Sequence, residues 1–301
     1  MAASPLISII TPSLNRAGMI DSAIDSVLAQ DYPRMEHIVV DGGSTDGTLD
    51  RLKRYPQVRV LSGPDAGMYD ALNKGLAAAT GEVIGFLNSD DLYVEGVFDD
   101  IAGRFATGNT LATVGRALIF TRDSAGTTQT IGSLSPESAP MIELATIGNP
   151  VFNAWFFHRT VFDTIGQFNA NYRIVGDRDF MLRFVLSDLP YQILSLNVYQ
   201  YLQHTDSLTF ELTDEKYDRI VGEHIAMTAF YLDQEGLPRP ARDWIVRLRT
   251  RETIKMAVLA AKTSPRKAYS LFLEGIAYDS LWPLRFAQKA LALLKKRLKA
   301  R

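Results

Sequence analysis

The sequence predicts an α/β protein with a doubly wound, mainly parallel sheet, followed by a helical extension. In residues 6–120, short apolar runs alternate with segments of helical period, an order typical of a parallel sheet covered by helices. From residue 214 onward the pattern is helical, with a break at Gly236–Pro240. A chain of 301 residues is long enough for one large domain and an appendage.

Each predicted strand is an apolar or β-branched run that stops at Pro, Gly, Asn or Asp. The predicted strands are Leu6–Thr11, His37–Val40, Val58–Leu61, Glu82–Leu87, Thr113–Phe120 and Phe152–His158. Apolar residues recur at helical spacing between them. The predicted helices are Met19–Ala29, Thr48–Tyr55, Met68–Ala79, Val94–Phe105 and Asp177–Leu186. Turn residues at Asp123–Gly126 predict a hairpin within a Ser- and Gly-rich stretch.

Composition excludes several classes of protein. Apolar residues make up 47% and charged residues 22% of the chain, which excludes disorder as the main state. No apolar run is long enough for a spanning helix. The absence of cysteine excludes disulfides and thiolate sites. The N-terminus lacks the pattern of a signal peptide, so we expect a cytoplasmic protein.

Charge is unevenly distributed along the chain. Residues 236–301 carry 16 Lys and Arg against 4 Asp and Glu, a net charge of +12, which leaves −14 for the other residues. An acidic body argues against nucleic acid as a partner. The basic end is compatible with anionic lipid, an acidic partner or water.

Polar residues follow several predicted strands at the point where each strand ends. They are Thr11–Asn15 after the first strand, Asp41 after the second, and Asp90 and Asp91 after the fourth. In doubly wound sheets, ligands bind beyond these carboxyl ends. The alternative, a helix N-cap, remains open for any one of these Asp residues.

The segment Asn88–Asp91 is the strongest chemical signal. Two adjacent carboxylates favour a hard cation such as Mn²⁺ or Mg²⁺, shared with a substrate diphosphate. The chain has no GxxxxGK[ST] loop, GxSxG elbow or HExxH motif, which argues against the corresponding chemistries. The alternative interpretation is an N-cap for the helix predicted near Val94.

Four motifs in order resemble the family 2 glycosyltransferases. They are Ile9–Arg16 (IITPSLNR), Ile38–Thr48 (IVVDGGSTDGT), Pro64–Gly75 (PDAGMYDALNKG) and Gly81–Asp91 (GEVIGFLNSDD). The similarity extends over roughly residues 6–210. It implies the GT-A fold and an inverting transfer of sugar from a nucleotide-diphospho-sugar.

The resemblance also implies roles for individual residues. Asp91 matches the main metal ligand, for Mn²⁺ or Mg²⁺, and Asp177 matches the catalytic base, with Asp179 near it. Asp41 matches a residue near the nucleotide base and ribose. Asp90 matches either a contact to the ribose or a residue that supports the metal ligand. The implied donor-binding residues are Thr11, Pro12, Ser13, Asn15, Asp41, Asp65 and Asp90.

The sequence departs from the family pattern at three places. Leu14 stands where Tyr is frequent, Gly42 where an acidic residue is frequent, and Phe152-Asn153 where His-Gln is frequent. Because of these departures, the resemblance does not predict how the nucleotide base is stacked, which base is bound, or which residues contact the acceptor. Two interpretations also remain open for His204, a metal ligand or a polar turn residue.

Other polar residues have two interpretations each. Those in the third motif either contact the donor or form the polar face of a helix: Asp70, Asn73 and Lys74. Arg178 and Arg183 could meet diphosphate, and Arg183 is expected to pair with an acid instead.

The predicted function is metal-dependent, inverting transfer of a hexosyl group in envelope polysaccharide synthesis. The acceptor is a hydroxyl of a saccharide or of a polyprenyl-linked saccharide. We predict a GT-A catalytic domain over residues 1–212, with a donor-binding half (1–110) and an acceptor-binding half (111–212), and a basic extension over 213–301. The alternatives are a nucleotidyltransferase and a non-catalytic sugar-nucleotide-binding scaffold.

The end of the chain predicts an amphipathic helix. Apolar residues at 287, 290, 291, 294 and 298 form one stripe, flanked by Lys and Arg. Residues 282–301 therefore suit a helix in the membrane interface, placing the protein on the inner face of the plasma membrane. The alternative is a helix packed on its own domain or on a second subunit of a homo-oligomer.

Overall fold

The computed structural model describes residues 4–108, 110–123, 127–203, 214–279, 281–284 and 287. The chain divides into two compact units, residues 1–210 and 211–301. Each unit is described by itself below.

The first half of unit 1 is a parallel sheet. Its strands β1 to β4 lie in the order β3-β2-β1-β4, with all three pairings parallel. They are β1 (Ile7–Ser13), β2 (Met35–Asp41), β3 (Val58–Ser62) and β4 (Val83–Phe86). The helices between them are α1 (Ile20–Leu28), α2 (Thr48–Leu52) and α3 (Met68–Ala78). Both faces of β1, β2 and β4 are mostly buried, which is why these strands read as continuous apolar runs, whereas β3 at the edge of the sheet is partly exposed.

The second half of unit 1 continues the same sheet as β4-β8-β6-β9-β5, with β7 paired to β6. Strand β8 is antiparallel to β4 and β6, and β9 is parallel to β6. The strands are β5 (Leu92–Tyr93), β6 (Ala112–Arg122), β7 (Thr128–Leu134), β8 (Trp155–His158) and β9 (Tyr191–Leu202). The helices are α4 (Phe98–Ala106), α5 (Met141–Thr146), α6 (Thr160–Ile165) and α7 (Gly176–Leu186). The predicted α/β class is confirmed.

Several predicted boundaries are wrong. Helix α4 begins at Phe98 and not at Val94, because residues 92–93 pair with β9 as an antiparallel strand. Residues Phe152–Ala154 form a 3₁₀ turn, and only the next four residues are strand. The sequence analysis did not predict α5, α6 or β9. The antiparallel pairing of β6 and β7 confirms a hairpin, and its tip at 124–126 lies outside the described residues.

Unit 2 consists of three helices in the part of the chain that the structure describes: α8 (Asp214–Leu232), α9 (Arg239–Thr263) and α10 (Pro265–Tyr278). The predicted break is confirmed, since Gly236 has a φ of +82° and α9 begins directly after Pro238. Trp282 is fully buried and its ring lies 5.1 Å from that of Phe272. Within the described residues, every helix is too short or too polar to cross a bilayer.

Candidate active site

A cavity of about 330 Å³ opens at the carboxyl ends of β1 and β4, the edge at which ligands bind in such sheets. Its lining comes from the ends of β1, β4 and β9 and from the start of α3. The lining residues are Pro12, Ser13, Leu14, Arg16, Asp65, Gly67, Met68, Ala71, Asn88, Ser89, Asp90, Asp91, Tyr201 and Leu202. Among them, Arg16 is the one residue with a permanent positive charge.

The carboxylate of Asp91 is buried at the base of this cavity and firmly held. Its Oδ1 accepts the Leu202 N–H at 2.8 Å. Its Oδ2 accepts the Asn88 Nδ2–H at 3.0 Å and the Tyr199 hydroxyl at 2.9 Å. Tyr199 is itself fully buried and accepts a hydrogen bond from Asn153 Nδ2 at 3.0 Å. A rigid network thus fixes the orientation of the carboxylate.

Burial also sets the charge of this site. Removal from water, and after it the negative charge of Asp90, together raise the pKa of Asp91 to about 7. The hydrogen bonds from Leu202, Asn88 and Tyr199 lower it and only partly offset these effects. Asp91 and Asp90 therefore concentrate negative charge that a cation would neutralise.

Oxygen ligands of this kind fit Mn²⁺ or Mg²⁺, which bind through one or two carboxylates and substrate phosphates. In the described part of the chain, no group of three or more Asp, Glu, His and Cys side chains could hold a metal ion by itself. Further ligands would have to come from a bound diphosphate or water. His204 lies outside the described residues.

The side chains of the first motif, Ile9–Arg16, lie partly in the cavity wall and partly in the interior of the sheet. Pro12 and Ser13 line the cavity, and the buried Ser13 Oγ has no hydrogen-bond partner among the described residues. A buried hydroxyl without a partner is costly unless a ligand or water binds it. The Thr11 hydroxyl instead lies inside the sheet, 2.9 Å from His37 Nε2. Burial lowers the pKa of His37 to about 3, so this ring is neutral.

Two other predicted donor-binding residues shape the loops around the cavity. Asp41 is fully buried, and its Oδ1 accepts the N–H groups of Gly43 and Ser44 at 3.1 and 2.9 Å. Asn15 accepts the Thr45 N–H through Oδ1 at 2.9 Å. Neither side chain is part of the cavity lining. Both support loops, and their role in donor binding stays a prediction.

Asp65 lines the cavity, and its position explains the glycine at 42. Asp65 Oδ1 accepts the Gly67 N–H at 2.9 Å. A Cβ added at Gly42 would lie 2.5 Å from Asp65 Oδ2, closer than real contacts allow. Any side chain at 42 would therefore displace Asp65, which occupies the space available there.

Asp177 lies in the first turn of α7 and is not part of the cavity lining. Its Oδ1 accepts the Arg178 N–H at 2.7 Å and lies 3.2 Å from the Tyr69 hydroxyl. Burial raises the pKa of the Asp177 carboxyl, while the Arg178 guanidinium lowers it. A carboxylate with a raised pKa is suited to accept a proton.

The neighbouring charged residues of α7 are structural. Asp179 is buried and pairs with Arg183 at 2.9 Å, which confirms the expected acidic partner of Arg183. The Arg178 guanidinium donates to the carbonyls of Ala145, Thr146 and Gly148 and so holds the end of α5.

In the third motif, the structure favours the structural interpretation for three polar residues. Asp70 pairs with Lys74 at 3.0 Å on the surface of α3. Asn73 exchanges two hydrogen bonds with the backbone of Phe168.

Sequence reasoning missed the contribution of β9. Tyr199 holds Asp91, and Tyr201 and Leu202 line the cavity. The two aromatic residues Tyr199 and Tyr201 alternate with other residues, and this spacing could have predicted the strand. Arg16 was also missed as a lining residue.

Comparison with solved structures identifies the class of fold. S. aureus TarS in complex with UDP-GlcNAc has a TM-score of 0.65 at 16% identity, over 91% of this chain and 81% of that one. Mannosyltransferase PcManGT from Pyrobaculum calidifontis, in complex with GDP-Man and Mn²⁺, has a TM-score of 0.58 at 18% identity, over 96% and 85%. The fold is thus of the GT-A glycosyltransferase class.

Comparison of sequences then identifies the family. Residues 8–166 match Glycosyl transferase family 2. A "PGL/p-HBAD biosynthesis glycosyltransferase" of Mycobacterium bovis is 31% identical over 194 residues, 60% of this chain and 70% of that protein. The "putative teichuronic acid biosynthesis glycosyltransferase TuaG" of Bacillus subtilis is 42% identical over 92 residues, 29% of this chain and 36% of that protein. This chain belongs to glycosyl transferase family 2 and is a transferase enzyme.

Proposed function

We propose that this enzyme is metal-dependent and inverting, and that it moves a sugar from a nucleotide-diphospho-sugar to a saccharide hydroxyl. The observation that carries the proposal is the cavity that combines Asp90, Asp91 and the unpartnered Ser13 hydroxyl. Similar folds bind UDP-GlcNAc and GDP-Man, which supports a nucleotide-sugar donor. The names of the relatives, for PGL/p-HBAD and teichuronic acid biosynthesis, support a role in envelope glycoconjugate synthesis.

In this proposal, different residues act on the acceptor hydroxyl and on the leaving diphosphate. Asp177 accepts the proton of the acceptor hydroxyl as that oxygen attacks the anomeric carbon. The diphosphate leaves from the opposite face, so the configuration at the anomeric carbon inverts. Arg16 and Ser13, which line the cavity, are proposed to bind the diphosphate. A divalent cation held by Asp91 and Asp90 would stabilise the charge of the leaving group.

A nucleotide panel tests the donor site. We expect one of UDP, GDP, dTDP and CDP to raise the melting temperature in Mn²⁺, and to do so much less in EDTA. At a ligand concentration of about 100 times Kd, the stabilisation is about 2.7 kcal/mol. Ser13→Ala is a conservative check, because it removes one hydroxyl from the lining and should reduce the shift. A shift that is equal with and without metal would contradict the metal-dependent site.

We also propose that the basic end of the chain contacts anionic membrane, with a polyprenyl-linked saccharide as acceptor. Trp282 does not take part, since it is fully buried in unit 2. The side chains of Leu281 and Leu284 are 54% and 58% exposed, and those of Tyr269 and Leu273 on α10 are 65% and 49% exposed. Exposed apolar residues next to a basic segment are typical of interfacial helices. Residues 288–301, and with them most of the predicted tail helix, lie outside the described residues.

Deletion of residues 284–301 tests this contact. The truncated protein should lose most of its binding to vesicles of anionic lipid, because it loses seven of the 16 basic residues of 236–301, Arg285, Lys289, Lys295, Lys296, Arg297, Lys299 and Arg301. It keeps Trp282 and therefore the core of unit 2. Vesicle co-sedimentation at low and high salt measures the effect, with zwitterionic vesicles as the control. Unchanged binding would favour the alternative, a tail packed on protein or on a second subunit.

A further inference from the structure

Tyr69 connects the wall of the cavity to Asp177. It lies in the first turn of α3 between the wall segments at Met68 and Ala71, and only 1% of its side chain is exposed. Its hydroxyl lies 2.6 Å from the carbonyl oxygen of Ile174 and 3.2 Å from Asp177 Oδ1. The donor-side helix therefore contacts the carboxylate on α7 directly.

The position of the Tyr69 ring is fixed by its surroundings. A Cβ added at Gly176 would lie 2.7 Å from two carbons of the ring. The ring also stacks on Phe168, with a centroid distance of 5.9 Å. Gly176, the residue before Asp177, thus permits a close approach that no other residue would allow, and the hydroxyl is held next to the carboxylate.

The Tyr69 hydroxyl has one proton and, among the described residues, two acceptors, the Ile174 carbonyl and Asp177 Oδ1. When Asp177 is ionised, the proton can be donated to Oδ1, which stabilises the charge. When Asp177 is protonated, the same proton can be donated to the Ile174 carbonyl. The described residues donate no hydrogen bond to Asp177 Oδ2, so this oxygen is available to a substrate hydroxyl.

We propose that Tyr69 is the positioning residue for Asp177, and that its hydroxyl supports the carboxyl group in both protonation states. The proton of the acceptor hydroxyl moves to Asp177 as the new glycosidic bond forms, and the Tyr69 O–H rotates from Asp177 to the Ile174 carbonyl. Tyr69 itself exchanges no proton with the substrate. This inference rests on the proposed role of Asp177 as the base.

Burial raises the pKa of the Asp177 carboxyl, whereas the Arg178 guanidinium, the Arg178 N–H and the hydrogen bond from Tyr69 lower it. Tyr201 of β9 also interacts with Asp177. Burial is the main cause that raises the pKa of Tyr201, and the negative charges of Asp91 and Asp177 raise it further. Arg178 is fixed by backbone carbonyls of residues 145–148. Removal of the Tyr69 hydroxyl therefore leaves the other charges in place.

Titration of Tyr69→Phe tests the proposal without any substrate. The full chain is labelled with ¹³C-carboxyl aspartate, and the Asp177 signal is assigned by its absence from Asp177→Asn. In Tyr69→Phe the ionised carboxylate of Asp177 loses a hydrogen-bond donor. The midpoint of the Asp177 titration should therefore rise by about 0.5 to 1 pH unit. Tyr32→Phe is the matched control, because it removes another buried hydroxyl, which donates to the Pro5 carbonyl at 2.5 Å before the start of β1, whereas the cavity lies at the carboxyl end of that strand. An unchanged midpoint in Tyr69→Phe would overturn the proposal.

Turnover provides the second readout, with the nucleotide sugar selected by the thermal-shift panel. Tyr69→Phe should lower kcat about tenfold and change the donor KM by less than about twofold. The acid limb of the pH profile of kcat should shift to higher pH. Tyr69→Phe combined with Asp177→Asn should be no slower than Asp177→Asn alone. Additive losses would show that Tyr69 does not act through Asp177. If Asp177→Asn retains turnover, the proposed base is wrong, and the titration still reports on the contact to Tyr69.

Discussion

Asp177→Asn is expected to retain donor binding and to lower kcat about 10² to 10⁴-fold. Asparagine has nearly the same shape and can still accept the Arg178 N–H, but its amide cannot take up the proton of an acceptor hydroxyl. Steady-state transfer kinetics, together with the Kd of the nucleoside diphosphate, measure the two effects separately. In the wild-type enzyme, kcat/KM should fall as the pH drops below the raised pKa of Asp177, because the protonated carboxyl is not a base.

Asp179→Asn is the matched control for this variant. It changes the other carboxylate of the same helix turn, which pairs with Arg183. Loss of one partner of a buried pair should lower stability by up to about 3 kcal/mol. It should affect kcat much less at a temperature at which the protein is folded. Near-wild-type transfer by Asp177→Asn, or a larger kinetic loss in Asp179→Asn, would contradict the assignment.

Asp91→Asn should have opposite effects on ligand binding and on the stability of the ligand-free protein. It removes the proposed metal ligand, so the Mn²⁺-dependent stabilisation by nucleotide should be lost almost completely. Without metal, the folded state of the wild type binds a proton at Asp91 with a pKa of about 7, above the value of the unfolded chain. Wild-type stability therefore decreases as the pH rises from about 4 through 7.

Because the variant lacks this ionisation, it should be more stable than the wild type by about 1 to 3 kcal/mol at pH 8 without metal. The difference should disappear below about pH 4, where both forms are neutral at this position. Urea denaturation at several pH values, in the presence of EDTA, measures this difference in the free energy of unfolding. Asp100→Asn, on the exposed surface of α4, is the control and should show neither effect. An Asp91→Asn variant that binds Mn²⁺ and nucleotide like the wild type would contradict the proposed metal site.

The order of the first four strands and three helices could be read from the sequence. Three of these strands, β1, β2 and β4, are mostly buried on both faces, so local apolar runs were sufficient evidence, and Pro12, Asp41 and Asn88 stand close to their carboxyl ends. The same logic correctly brought Ser13, Asp90 and Asp91 to one edge, and Asp65, which the family resemblance implied, lines the same cavity. It failed for β9, whose exposed positions Tyr191, Ile193 and Leu196 do not follow the pattern of a fully buried strand.

The direction of each polar side chain could not be read in this way. Thr11 and Asp41 stand at the predicted edge, yet one bonds to His37 inside the sheet and the other supports a loop. A period-two strand places successive residues on opposite faces, so the side on which the cavity forms decides which of them can reach it.

The sequence by itself determined the α/β class, the family and the acidic pair at the sheet edge, because these depend on local patterns and on motifs of adjacent residues. Only the tertiary structure decided which side chains hold the two key carboxylates. Tyr199 is 108 residues from Asp91 in the chain, and Tyr69 is equally far from Asp177. Contacts at such separations depend on the register of β9 and on the packing of α7 against α3, and local periodicity contains no information about either.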